Sequence, residues 1–178
     1  PLAVSVANCI ELASCDVVPL MSTDITHPSL PGWKPELAHD YVLFIVDLRN
    51  IWNKPIEIHV ELFESVLTEV VVPLETKRLL LPIKRVSLGT GRESAKIPSL
   101  LGKEYILPQI PKSEDLFLRK VYWYRQEILD NLKGSWKIDN ELTGNIEFGG
   151  IRIFQKMLGL LTISDVLVEI ELVDIEFT

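Results

Sequence analysis

Three stretches carry residue types that can do chemistry. Glu57-Ile58-His59-Val60-Glu61 places an imidazole between two carboxylates at alternate positions, so in an extended chain all three side chains leave the same face. Imidazole and carboxylate are metal-ligand types, but His27 and His39 are distant and bring no second ligand at metal-binding spacing. The spacing therefore predicts a solvated strand face, and no metal or cofactor is expected. Gly89-Thr90-Gly91-Arg92 has the look of a phosphate loop, yet no helix follows it and no Lys-Ser/Thr pair closes it. Glu169, Glu171, Asp174 and Glu176 are spaced as the wet faces of a strand, and a catalytic pair would need a cleft the pattern does not supply. There is no Gly-x-Ser-x-Gly elbow and no paired-cysteine motif. An enzyme is not expected. A β-sandwich hydrolase or sugar-binding enzyme would need two convergent carboxylates with raised pKa values in a polar cleft.

Binding is better supported. Lys77-Arg78 and Lys84-Arg85 flank one apolar segment, either as a basic patch or as charge that protects an edge strand. Trp123 falls on the polar side of its helix, where it either meets a partner or is covered by the preceding loop. Arg125 falls inside the apolar arc of the same helix, as an ion-paired or snorkelling residue or as an interface residue. Trp33, in a proline-rich loop, is expected to anchor that loop to the surface. Trp52 lies in a short polar turn. The candidate interaction residues are thus Trp123, Arg125, Trp52, Trp33, Lys84 and Arg85.

These positions need a scaffold, and 178 residues with a net charge of −7 suit one domain with a real core. The negative balance argues against a nucleic-acid surface, which needs a basic footprint. No run approaches the ~20 apolar residues of a membrane span. Cys9 and Cys15 are the only cysteines, expected reduced and packed, as suits a cytosolic protein. The chain begins with Pro1 and reads as a fragment of something longer.

The elements are mostly strands. Val4 to Leu12 and Cys15 to Leu20 predict two strands separated by a kink at Ala13-Ser14. Asp40 to Glu64 predicts a hairpin: Tyr41 to Val46 is continuously apolar and needs both faces covered. Ile56, Ile58, Val60 and Leu62 alternate with polar residues. Val66 to Val72 and Lys77 to Leu88 follow, the latter with a parity slip at Lys84-Arg85 that predicts a β-bulge. Gly89 to Lys112 is irregular. A helix is predicted over 114–133, a helical insert bounded by 113 and 134, with Ser113 as N-cap and Lys133-Gly134 as its stop. Trp136 to Ile138, Asn145 to Ile153 and Ile163 to Phe177 are strand candidates, Gly149-Gly150 a bend, and Gln155 to Leu161 a helical turn. About eight sequential strands without βαβ alternation predict an all-β fold, an antiparallel β-sandwich with one inserted α-helix, as a single domain over 1–178.

The segments VDLRNIWNKPIEIHVEL, RLLLPIKRVSL, VYWYRQEILDNLKGSWK and GGIRIFQKMLGLL, in that order, resemble an immunoglobulin-like region of the large TRAPP II-specific subunit. This is the NIBP-type family of the transport protein particle, in its fungal form, and the resemblance runs from about Asp40 to the end. It implies one immunoglobulin-like sandwich of a long scaffold subunit. The complex acts as a Rab guanine-nucleotide exchange factor and vesicle tether at the Golgi and endosomes. Its implied partners are other subunits of the multisubunit tethering complex, with a Rab-type GTPase engaged only indirectly. No catalytic residue carries over, and the implied location is cytoplasmic, peripheral to Golgi and endosomal membranes. The alternative is an independent adhesion or ligand-binding β-sandwich domain.

Overall fold

The computed structural model describes residues 8–20, 40–89, 91–98, 112–139 and 141–162. Trp33 and the Ile163 to Phe177 strand candidate lie outside them. Seven described strands form two antiparallel sheets: β1 (Ile10–Pro19), β2 (Tyr41–Asn50) and β5 (Thr76–Lys84) in the order β1-β2-β5; and β3 (Ile56–Leu62), β4 (Ser65–Val71), β6 (Leu132–Ile138) and β7 (Leu142–Asn145) in the order β4-β3-β6-β7. Helix α1 (Lys112–Asn131) intervenes between β5 and β6, and α2 (Gln155–Leu161) closes the described chain. This is the expected immunoglobulin-like sandwich, its core made by the inward faces of both sheets.

Alternation supplies that core. Val42, Phe44, Val46 and Leu48 of β2 are fully buried, and so are Ile56, Ile58, Val60 and Leu62 of β3. On the outer side of β2, Leu43 and Ile45 are half-buried. The continuous apolar run is therefore an inward stripe backed by a partly covered outer one. Helix α1 does not cover that second face; it meets β3, β6 and α2, with Tyr124 and Ile128 buried.

Several expectations are corrected. The Asp40 to Glu64 hairpin does not form: β2 pairs with β1 and β5, and β3 pairs with β4 and β6. The linker 51–55 instead carries the chain from one sheet to the other. The real hairpin is β3–β4, where Leu62 faces Ser65 across Phe63-Glu64. Val4 to Val6 lie outside the described residues; from Ile10 on, the two opening strands run as one, β1, whose kink is a register shift between Leu12 and Ser14. No bulge lies at Lys84-Arg85; β5 ends there in unbroken register, and Val86 turns to bridge Thr162. The parity slip thus marks a strand end. Helix α1 is Lys112–Asn131, and Gly134 lies inside β6. Strand β7 is Leu142–Asn145, while Ile146, Phe148, Ile151 and Ile153 are buried without ladder pairing. Arg125 pins this segment by donating from Nε to the Ile151 carbonyl (2.7 Å) and from the other guanidinium nitrogen Nη2 to the Gly149 carbonyl (2.7 Å).

The β4–β5 turn carries strain. Glu75 N donates to the Val72 carbonyl at 3.2 Å, with Pro73 second and Leu74 third at φ 62°. That is the type II pattern, whose third residue wants glycine. Leu74 is largely exposed, so little contact offsets the left-handed backbone. Leu74→Gly is expected to stabilise the fold by about 0.5–1 kcal/mol, the left-handed penalty removed less the added freedom of the unfolded chain. Urea denaturation midpoints would show it.

Candidate interaction surface

The residues that could do chemistry are engaged with one another. His59 Nδ1 lies 2.8 Å from Thr68 Oγ1 and Nε2 3.0 Å from Glu61 Oε1. They border a shallow depression of about 190 Å³ on the outer face of the second sheet, with Lys133, Ser135 and Asn145. Among the described residues no group of three or more His, Cys, Asp or Glu could hold a metal ion. The Gly91-Arg92 stretch enters a single 3-10 turn, Arg92–Ser94, and its side chains are spent on α1. Cys9 and Cys15 are not joined in a disulfide. Burial pushes the Cys15 thiol up, against the opposing effect of its contact with the Arg152 carbonyl, so it is not a poised nucleophile.

The 3-10 turn is a clasp over α1. Trp123 donates its indole N–H to the Ala95 carbonyl at 2.9 Å, and the Arg92 guanidinium sits 5.4 Å from the Trp123 ring centroid. Arg92 also bonds Glu127 at 2.5 Å, while Glu93 accepts from the Tyr124 hydroxyl (2.7 Å) and pairs with Lys120 (2.9 Å). The loop thus folds over Trp123, on the helix face that periodicity alone assigns to solvent.

The basic pairs are divided. Arg78 binds Asp47 through two hydrogen bonds of 2.8 and 2.9 Å, and Asp47 also accepts from Ser14 Oγ at 2.6 Å. Lys77 pairs with Glu69 at 3.1 Å. Glu69 stands opposite Ile58 on the inward parity of β4, and Lys77 opposite Leu48 on that of β5. Charge turned inward on two edge strands keeps the open side of a sandwich from recruiting further strands. Arg85 reaches the Leu160 carbonyl at 2.6 Å, and Lys84 is exposed.

Two of these carboxylates set the response to acid. Arg78, then Ser14, holds the Asp47 carboxyl below its ordinary value, and Lys120, then Tyr124, does the same for Glu93. A depressed folded pKa adds stability that is present above the unfolded value and lost as pH falls through the folded one. The urea midpoint should therefore hold between pH 7 and 5 and fall below the ordinary carboxylate values of about 3.9 and 4.3. Asp47→Asn with Glu93→Gln should lower the neutral-pH midpoint and flatten that fall.

One apolar surface without such internal use lies at one pole. Strand β1 begins, β2 ends, β3 begins and β5 begins there, so 51–55, 72–75 and Asp139 meet. Asn50, fully buried, ties them together. Its Nδ2 donates to the Lys54 (2.8 Å) and Val71 (3.0 Å) carbonyls, its Oδ1 accepts from Trp52 N (2.8 Å), and its own N–H donates to the Glu75 carbonyl (2.9 Å). Lys54 Nζ pairs with Asp139 at 2.5 Å. On this frame Ile51 is 39% exposed, Trp52 40%, Val72 51%, Leu74 68% and Leu142 51%. An apolar group with a charged rim has the composition of an interface. Trp52 is the expected candidate that belongs here. Ile51, Val72 and Leu74 were missed, although apolar residues set directly in Asn/Pro-containing turns were a usable signal.

A family model described as "Trs120/TRAPPC9, third Ig-like domain" matches residues 10–162. The "Trafficking protein particle complex II-specific subunit 120" of Saccharomyces cerevisiae (strain ATCC 204508 / S288c) is 25% identical over 164 residues, covering 83% of this chain. The chain spans 13% of the length of that relative.

Proposed function

Since the chain belongs to the Trs120/TRAPPC9 family, as its third Ig-like domain, we propose that it is a non-catalytic scaffold and interaction module. It would serve a TRAPP II-like, vesicle-tethering Rab guanine-nucleotide exchange complex. The observation that carries this reading is the family match over 10–162, which takes in every described strand. The relative's name as a complex II-specific subunit supports the assignment to that complex. The sandwich, a single domain of a longer polypeptide, supplies contact and spacing, while nucleotide exchange belongs to other subunits and a Rab-type GTPase is met only indirectly. Its place is cytoplasmic, at the surface of Golgi and endosomal membranes; no described helix is long and apolar enough to cross one.

Of the candidate contact residues, Trp52 and Lys84 offer side chains to a neighbour most directly. Trp123 and Arg125 act by fixing the surfaces around them, and Arg85 by holding α2. The test is affinity purification of the full-length subunit with and without residues 10–162. Loss of one or more co-purifying subunits, with nucleotide exchange by the remaining core retained, is expected. Full retention of every subunit would sink the proposal.

A further inference from the structure

We propose that the apolar pole formed by Ile51, Trp52, Val72 and Leu74 is the seat of the module that immediately precedes this one in the same, longer polypeptide. The inference rests on the family reading above.

The route of the chain selects this occupant. Ile10 pairs with Asn50, and the Cys9 carbonyl accepts from Ile51 N at 3.0 Å. Whatever precedes the sandwich is thus tethered beside the exposed Ile51 and Trp52. The described residues end at the opposite pole, where Thr162 bridges Val86 just beyond the end of β5, while the start of β1 delivers whatever precedes it to the Trp52 pole. The family match begins at residue 10, at this pole, and names a third domain in a series.

Energetics favour the same occupant. A separate subunit must offset the translational and rotational freedom lost on association. A module in the same chain has an effective concentration set by its linker, so a modest patch suffices to hold it. The patch suits that role, with four exposed apolar side chains at the centre and the Lys54–Asp139 pair at the margin. Leu74 adds a specific sign. It is apolar, exposed and held at φ 62°, a combination that serves neither folding nor solubility. Strain retained at a surface position points to use of that position.

The test uses the full-length subunit, free and in its complex. Leu74→Cys and Val66→Cys are made separately, and thiol modification is followed by peptide mass spectrometry. Val66 is also exposed, though less than Leu74 (43% against 68%), and lies at the opposite end of β4. Leu74→Cys should react at least tenfold more slowly than Val66→Cys in the free subunit. A photo-reactive phenylalanine analogue at position 52 should cross-link to sequence preceding this module in the same chain. Equal rates in both states would overturn the inference, as would cross-links confined to later sequence. Protection seen only in the assembled complex would give the pole to another subunit, overturning the inference while leaving the scaffold reading intact. Protection in the free subunit, with the predicted cross-links but no co-purifying subunits, would uphold the inference and remove the scaffold reading.

Discussion

Asn50→Ala is expected to lower folding stability by about 3 kcal/mol. The fully buried carboxamide makes three hydrogen bonds at 2.8–3.0 Å that join the 51–55 linker to the end of β4. Alanine removes all three and leaves buried carbonyl groups, that of Val71 among them, without this donor. The cost of an unsatisfied buried polar group is about 1–3 kcal/mol. Asn50→Asp is a sharper version of the experiment. Its carboxylate could still accept from Trp52 N, but it would face the Lys54 and Val71 carbonyl oxygens with no proton to donate. It should cost at least as much as alanine at pH 7. The sign of its pH dependence is also fixed. A carboxyl whose folded pKa is raised by burial and facing carbonyls is stabilised below its unfolded pKa and loses that as pH rises. The penalty of Asn50→Asp should therefore shrink toward pH 4, where wild-type stability begins to fall. Urea titrations at pH 7 and pH 4.5 would separate these cases. A cost near zero for either variant would mean that Asn50 does not hold the 51–55 and 72–75 segments together. Amide exchange in those segments should rise with the loss of stability.

The alternation of β3 was fully legible in the sequence, because a period of two in buried residues is written locally. The partner of β3 was not. Parity says which face of a strand is dry, and it is the same whether the preceding strand lies beside it or in the opposite sheet. The distinction sits in the connections. Leu62 and Ser65 are joined by two residues, whereas Asn50 and Ile56 are separated by five, and the buried Asn50 turns the chain across the sandwich. Trp123 shows a second limit. Helical periodicity placed it opposite the apolar arc, which is correct for the helix alone. The 3-10 turn then adds a second layer over that face. Such a layer depends on contacts 28 residues apart in sequence, which no local period encodes. The interaction pole was visible only in Trp52. Its other members are exposed because the 51–55 and 72–75 connections converge on one end, a fact of topology.

Gly134 offers the second large effect, and here propensity and tertiary structure make opposite predictions. Glycine inside a strand costs roughly 0.5–1 kcal/mol relative to alanine, so Gly134→Ala should stabilise β6 if local preference governed. A Cβ at this position would lie 2.7 and 2.8 Å from the Phe148 ring and 3.0 Å from Ile146 Cβ. Gly134 pairs with the fully buried Val60, so that Cβ would point into the core. Phe148, itself buried, fills the place a β6 side chain would take, and Ile146 N binds the Gly134 carbonyl at 2.9 Å. Overpacking of a close-packed core costs typically 1–3 kcal/mol, which exceeds the propensity gain. The expected net effect of Gly134→Ala is a loss of about 1–2 kcal/mol, and Gly134→Val should lose more. Gly89→Ala is the control, since a Cβ there meets nothing within 4 Å and the backbone is not left-handed. It should be neutral or slightly stabilising. The decisive measurement is the double variant Gly134→Ala/Phe148→Leu, because the smaller side chain vacates the contested volume. Its stability should exceed the sum of the two single effects by roughly 1 kcal/mol, a coupling that neighbours sharing one space show and distant sites do not. Strict additivity would mean that the loss at Gly134 arises in the β6 backbone and not against Phe148.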